Sequence, residues 1–302
     1  MELEASFRDM APHELAAYLL QASGQEEDTP VNPSSILDPL GLAHLSLGFA
    51  VDLPEAVSPS GERPRALLSL PERVIATDRQ LTWQRARFST FHEIAHYVLP
   101  DHVESIVLCT DRDLSHFARG AREREANAFA ADLLFHAVRF SLEANSSPIT
   151  AATVKELADR YLASYEATAR RLVEKNLRPC MLLVYAPVAN DKRIDIARAP
   201  RWDVRYSVAS PTFSCLYFAR VRSNVDNPYV LQVATADRDI PDSVTAQEAV
   251  NLPDGCTVHV QTEYFFNQYN VFCLLRPLGE AVPTSFRDPL AVSPGRSPNA
   301  RT

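Results

Sequence analysis

The stretch Phe91-His92-Glu93-Ile94-Ala95-His96-Tyr97-Val98 sets two imidazoles four residues apart, with a carboxylate beside the first. On an α-helix, residues i and i+4 share a face, so His92 and His96 can hold one divalent ion between them. Glu93 can then act as general base toward a water in the ion's open coordination position. The plainer reading is a helix with two ordinary histidines. The neighbours argue against it: Phe91, Ile94, Ala95, Val98 and Leu99 are apolar. Such a helix belongs in a core, where two histidines and a glutamate need partners. Zinc suits those donors, with manganese as an alternative.

A third protein donor must come from another element. Arg122–Phe140 reads as a helix, with Glu123, Ala126, Asn127, Ala130, Leu133, Leu134 and Ala137 recurring at spacings of three and four. At 100° per residue these seven fall within an arc of about 120°. Glu123 therefore shares the inward stripe, while Glu125 points to solvent near Arg122 or Arg124. An acid in the first turn is favoured by the helix dipole. That explains the residue type but not the inward direction, which calls for a partner charge or a metal. Asn127, one turn on, is placed to hydrogen-bond a ligating residue. Should Glu123 not be the donor, His116, Asp101 and Glu104 come next by type. Tyr97 and His116 are the candidates to stabilise an oxyanion.

The elements that must position these groups follow from periodicity and punctuation. Pro12–Ala22 reads as a helix, and 36–47 as a second, interrupted at Pro39-Leu40-Gly41. Short strands are expected at 49–53, 66–70 and 73–76. Val74–Ala76 is expected at a sheet edge, where it can pair with an extended substrate. Asp78 or Thr82 caps the histidine helix, which stops before Pro100. The segment 101–120 has no clear form. Residues 145–150 read as a linker, and two helices follow at 154–162 and 165–173 in a pattern resembling a helix-turn-helix. That segment, 149–178, carries six basic and four acidic residues, too small an excess to demand DNA.

From Cys180 the pattern becomes strand-like, at 180–185, 213–218, 229–233, 257–260 and 269–275, with one short helix near 244–250. This implies an α+β domain with a mostly antiparallel sheet. Its aromatic residues can line a small-molecule pocket, although in strands they more often form core. The tail from Asp288, with Pro289, Pro294 and Pro298, is expected to be disordered.

The bulk properties fit a soluble, multidomain protein: 302 residues, 46% hydrophobic and 23% charged. No apolar run is long enough to span a membrane, and the acidic start Met1-Glu2-Leu3-Glu4 does not resemble a secretory signal. Five cysteines without CxxC spacing read as buried free thiols of a cytoplasmic protein. A net charge of −8 weakens any reading in which nucleic acid is the main partner.

Arg85-Ala86-Arg87-Phe88-Ser89-Thr90-Phe91-His92-Glu93-Ile94-Ala95-His96, followed by Glu123-Arg124-Glu125-Ala126-Asn127-Ala128-Phe129-Ala130-Ala131-Asp132-Leu133-Leu134, resembles the ImmA/IrrE zinc metallopeptidases. The whole order resembles the radiation-response members of that family. The resemblance implies a mainly helical zinc-peptidase-like domain with a small sheet at 1–145. A helix-turn-helix-like domain at 146–178 and a GAF-like α+β sensor domain at 179–287 would follow, before the tail at 288–302. It implies a zinc site of His92, His96 and Glu123, with Glu93 as base. It also implies a cytoplasmic endopeptidase whose protein substrate is a helix-turn-helix repressor of stress or DNA-repair genes. A small-molecule signal would act at the C-terminal domain. Two departures stand out: Ala95 replaces a common Gly, and Phe135-His136 stand where many relatives read Met-Pro. The rival reading is a DNA-binding regulator with a structural metal. It is disfavoured by the charge and by a three-donor site, since structural zinc commonly has four protein ligands.

Overall fold

The computed structural model describes residues 7, 10–52, 61–102, 104–115, 117–118, 120–188, 201–217, 227–235, 243–251 and 257–279. His116, Cys256 and the tail from Asp288 lie outside them. The chain divides into two compact units, Met1–Ser147 with Ala152–Thr168, and Pro148–Ala151 with Ala169–Thr302.

The first unit opens with α1 (Pro12–Ala22) and α2 (Pro33–Leu40). The expected second helix does not continue to residue 47. Gly41 adopts a left-handed conformation at φ 62° and caps α2, a geometry natural to a residue without Cβ. Ala43–Leu47 then forms β1, and Phe49–Asp52 is the short helix α3 rather than a strand. The Asp52 carboxylate accepts from the Gly48 N–H at 2.7 Å, closing that turn. Strands β2 (Ala66–Ser69) and β3 (Val74–Asp78) lead to α4 (Trp83–Val98). Thr82 is its N-cap, accepting from the Arg85 N–H at 3.4 Å.

A 3₁₀ turn at Pro100–His102 follows, then β4 (Ile106–Cys109), a strand that the sequence reading did not anticipate. The sheet order is β1-β3-β2-β4, with β1 parallel to β3 and the other pairs antiparallel. Strand β3 is therefore paired on both sides. The expectation that Val74–Ala76 forms a free edge is overturned: its backbone groups are already taken by β1 and β2.

Helix α5 (Ala121–Leu134) ends where Phe135 caps it and His136 turns left-handed at φ 48°. Helix α6 (Ala137–Ser146) starts there. The predicted single helix over 122–140 is thus two, broken at the Phe135-His136 pair. α6 also runs into the expected linker. Helices α7 (Ala151–Tyr161) and α8 (Tyr165–Glu174) are joined by a tight turn in which Ser164 Oγ accepts from the Ala167 N–H at 3.1 Å.

The second half of helix α4 is buried on nearly all sides. From Ser89 to Val98 only Tyr97 is not fully buried. One buried cation, Arg87, fastens the first half. Its guanidinium donates to the Val31 carbonyl at 2.6 Å, to Tyr161 at 2.6 Å and to Leu162 at 3.3 Å. It also lies over the rings of Trp83 and Phe91. Burial lowers its pKa to about 10, so it remains charged at neutral pH. Arg87→Ala would leave these carbonyls without their donor. The expected loss of stability is about 2–4 kcal/mol, measured by urea unfolding. A change below about 0.5 kcal/mol would show that water replaces the guanidinium freely.

The second unit contains β5 (Met181–Pro187), β6 (Trp202–Ala209), α9 (Pro211–Tyr217), α10 (Pro228–Thr235), β7 (Ser243–Asn251), β8 (Thr257–Phe266) and β9 (Val271–Pro277). Its five-stranded sheet, order β6-β5-β9-β8-β7, is antiparallel throughout, as expected. Three assignments within it change. Of the described residues, 213–217 and 229–233 belong to helices, and 244–250 to a strand. The first two start on a capping side chain followed by proline: Ser210 Oγ accepts from the Phe213 N–H at 3.1 Å, and Asn227 Oδ1 from the Tyr229 N–H at 3.0 Å. Residues 244–250 instead alternate, with Thr245, Gln247 and Ala249 exposed, as one face of a strand requires.

Tyr185, Trp202 and Tyr264 lie in the core of this unit. The Tyr264 hydroxyl donates to Glu248 at 2.6 Å and accepts from Asn227 at 2.8 Å. Cys215 is exposed rather than buried, because α9 buries Phe213 and Tyr217, four apart, and turns the residue between them outward.

Candidate metal centre

Helices α4 and α5 bring the predicted donors together. His92 Nε2 lies 3.1 Å from Glu123 Oε2 and 3.0 Å from His96 Nε2, and His96 Nε2 lies 3.4 Å from the same Glu123 oxygen. His92 and His96 are buried, and the Glu123 side chain is 23% exposed. Cys109, at the end of β4, joins them: one donor atom each from His92, His96, Cys109 and Glu123 lies within 4.8 Å of the others.

The outer nitrogens are held separately. His92 Nδ1 is 3.0 Å from Asn127 Oδ1, while the Asn127 amide donates to the carbonyls of Asp113 at 2.7 Å and Ser115 at 3.0 Å. Those two acceptors fix the amide so that its oxygen faces His92. His92 therefore carries its proton on Nδ1 and presents a lone pair from Nε2. His96 Nδ1 faces His102 Nδ1 at 3.1 Å, and His102 Nε2 faces Glu125 Oε2 at 3.2 Å. The donor set fits a divalent transition metal: two imidazole lone pairs and a carboxylate converge, and the remaining nitrogens are oriented by partners behind them.

The electrostatics agree. Burial lowers the pKa of His92, against the pull of Glu123, which favours a neutral ligand. Burial alone would raise Glu123, but hydrogen bonds from His92 and His96 hold its carboxyl well below the usual range. His96 is also desolvated, yet Glu123 and Glu93 outweigh this and raise its pKa. Burial pushes Glu93 up to about 7. Neither of its buried oxygens has an N–H or O–H donor; nearby His96 and the weakly donating Cys109 thiol pull its pKa back down only in part. A fully buried carboxylate without such donors is a base waiting for a proton-bearing partner.

A stability consequence follows for the metal-free protein. The folded-state pKa of Glu93 is raised, so its contribution is present below about pH 4.5 and is lost as pH rises through about 7. The loss is on the order of 3 kcal/mol. Metal-free Glu93→Gln lacks that decline, so its urea midpoint should exceed that of the wild type increasingly between pH 5 and 7. Parallel pH profiles would show that the carboxyl is solvated.

Among the other candidates, Glu104 pairs with Arg122 at 2.8 Å, and Asp101 is exposed. The Tyr97 hydroxyl accepts from Arg73 at 2.6 Å, and that guanidinium also holds the carbonyls of Leu40 and Gly41. Tyr97 thus fastens the loop beside β3. Glu125 is not simply solvated beside an arginine, as expected. Its side chain is 47% exposed, but its carboxylate meets buried His102. The sequence reading missed both His102 and Cys109.

Helices α4 and α5 thus present the His92–His96 face to the inward Glu123. Residues 55–173 match the family described as the IrrE N-terminal-like domain, Peptidase M78, a match consistent with an ImmA/IrrE-type protein. A solved structure described as a Mycobacterium tuberculosis transcriptional regulator shares the fold, with TM-score 0.50 and 16% identity over 87% of this chain and 74% of that one. No curated protein matches the chain. Among the described residues, no helix is long and apolar enough to cross a membrane.

Proposed function

We propose that this chain is a site-specific zinc metallopeptidase that cleaves a helix-turn-helix transcriptional repressor and so derepresses radiation and DNA-damage response genes. The observation that carries the reading is the convergence of His92, His96 and Glu123 beside a buried Glu93 that lacks an N–H or O–H donor. The metal would be held by His92, His96 and Glu123, and would supply Lewis acidity to the scissile carbonyl and the attacking water. Glu93 takes the proton of that water and passes it to the leaving nitrogen; burial raises its pKa, which favours its holding the proton between the two transfers. Asn127 keeps His92 in the ligating tautomer.

The substrate enters as an extended segment along β4. Among the described residues, no strand pairs the outer edge of β4, and Cys109 at its end lies among the donors. Backbone pairing along such an edge delivers a peptide bond in a fixed register. The repressor assignment draws on the family resemblance and on the regulatory description of the structural neighbour. A GAF-like reading of 179–287 and a sensor role for it belong to the same proposal.

The test incubates the purified protein and zinc or manganese with candidate repressors from the same genome, with and without chelator, and reads cleavage on a gel. Chelator-sensitive cleavage of one repressor at one position supports the reading; cleavage that survives chelation sinks it. The rival, a DNA-binding regulator built on α7 and α8, predicts tight, sequence-specific duplex binding at physiological salt. The proposed peptidase should bind duplex DNA weakly and lose it between low and physiological salt, as a segment of small net charge must.

A further inference from the structure

We infer that His102 and Glu125 form a hydrogen-bonded relay that orients His96, which makes His102 a positioning residue for the metal centre. The inference rests on the reading of His92, His96 and Glu123 as metal ligands. His96 has only two ring nitrogens. Nε2 faces His92 and Glu123, so Nε2 is the ligating atom and Nδ1 must carry the proton. Nδ1 lies 3.1 Å from His102 Nδ1. Two imidazole nitrogens at that distance share one hydrogen, so His102 Nδ1 accepts. The proton of neutral His102 is then on Nε2, which lies 3.2 Å from Glu125 Oε2. Each link has one donor and one acceptor, and the chain ends on an anion.

The two ligating histidines are therefore supported differently. His92 leans on a neutral amide anchored by two backbone carbonyls. His96 leans on a second imidazole backed by a carboxylate. A carboxylate at the far end raises the basicity of the ligating nitrogen and fixes the ring's rotation. The 3₁₀ turn at Pro100–His102 brings His102 back toward α4: its N–H donates to the Leu99 carbonyl at 3.2 Å, and the residue is 2% exposed. Glu125 sits on the half-exposed side of α5, so it can be changed with little disturbance to packing.

The experiment measures zinc affinity by competition with a chromogenic chelator for the wild type, Glu125→Ala, Glu125→Gln, His102→Phe, the double variant His102→Phe with Glu125→Ala, and Glu123→Ala. Glu125→Ala and His102→Phe should each weaken zinc about 10–100-fold. Glu125→Gln should recover part of the loss, because its amide oxygen still accepts from His102 and fixes the ring while the charge is gone. The double variant should be no weaker than His102→Phe alone, since the two residues act in series. In proton NMR of the zinc-loaded protein, the hydrogen-bonded His96 Nδ1–H signal should disappear in His102→Phe while that of His92 persists. A merely structural role for His102 would not produce that selective loss.

If Glu123→Ala loses zinc while Glu125→Ala and His102→Phe bind it like the wild type, the relay is overturned and the metal site stands. If the wild type binds no zinc, both fall. Should His102→Phe fail to fold, Glu125→Ala and Glu125→Gln decide the question alone.

Discussion

Glu93→Gln protein should keep its metal and lose the proposed peptide-bond cleavage by on the order of 10²–10⁴-fold. The amide has nearly the same shape as the carboxylate, and His92, His96 and Glu123 are untouched, so the ligand set survives. Glutamine cannot accept the proton that the attacking water must lose. Burial pushes the Glu93 carboxyl up to about 7, and a metal cation beside it would bring that value down. Wild-type cleavage should therefore fall on an acid limb that lies below pH 7, the limb that reports this group. The measurement is the single-turnover cleavage rate, with metal content determined on the same sample. A variant that cleaves at the wild-type rate removes Glu93 from the mechanism.

Glu123→Ala should release the metal on dialysis. One Glu123 oxygen reaches both His92 Nε2, at 3.1 Å, and His96 Nε2, at 3.4 Å, and it is the only anionic oxygen among the grouped donors. Removing it leaves two neutral imidazoles and a thiol whose pKa burial pushes well above its usual value. The affinity should fall by more than the roughly 10–100-fold that follows loss of a supporting residue. Metal content after dialysis, compared with wild type, is the check. Full retention would transfer the third donor to Cys109.

The site's central helix was legible because its period is helical and its partners sit on one stripe. His92, Glu93, His96 and Glu123 could each be placed by helical geometry, and the structure brings them together. Asn127 was legible for the same reason, four residues on from Glu123. His102 and Cys109 lie beyond Pro100, where that period stops. A three-residue 3₁₀ turn and a four-residue strand carry too few positions to set a phase, so nothing in their spacing showed that they fold back onto α4. The misread helices α9 and α10 are different, because their signal was present. Ser210-Pro211 and Asn227-Pro228 each join a capping side chain to a proline suited to the first helical position. The aromatic and β-branched runs that follow outweighed it. Short apolar runs cannot be assigned by periodicity alone, and the cap should have decided them.

Substrate entry along the edge of β4 that no described strand pairs, as proposed above, would limit which proteins can be cut. A strand edge accepts only backbone in extended form, so the scissile segment must give up any helical hydrogen bonds before it can bind. A repressor cut in this way would be cleaved at a rate set partly by its own local opening equilibrium. Each ~1.4 kcal/mol that holds the segment folded lowers the rate about tenfold. A loop between helices would be cut readily, and the same residues inside a stable helix would be spared. The choice of cleavage position thus depends on the substrate's weakest-held stretch as much as on its residue types. Anything that tightens that stretch, such as bound operator DNA, would slow proteolysis without touching the enzyme.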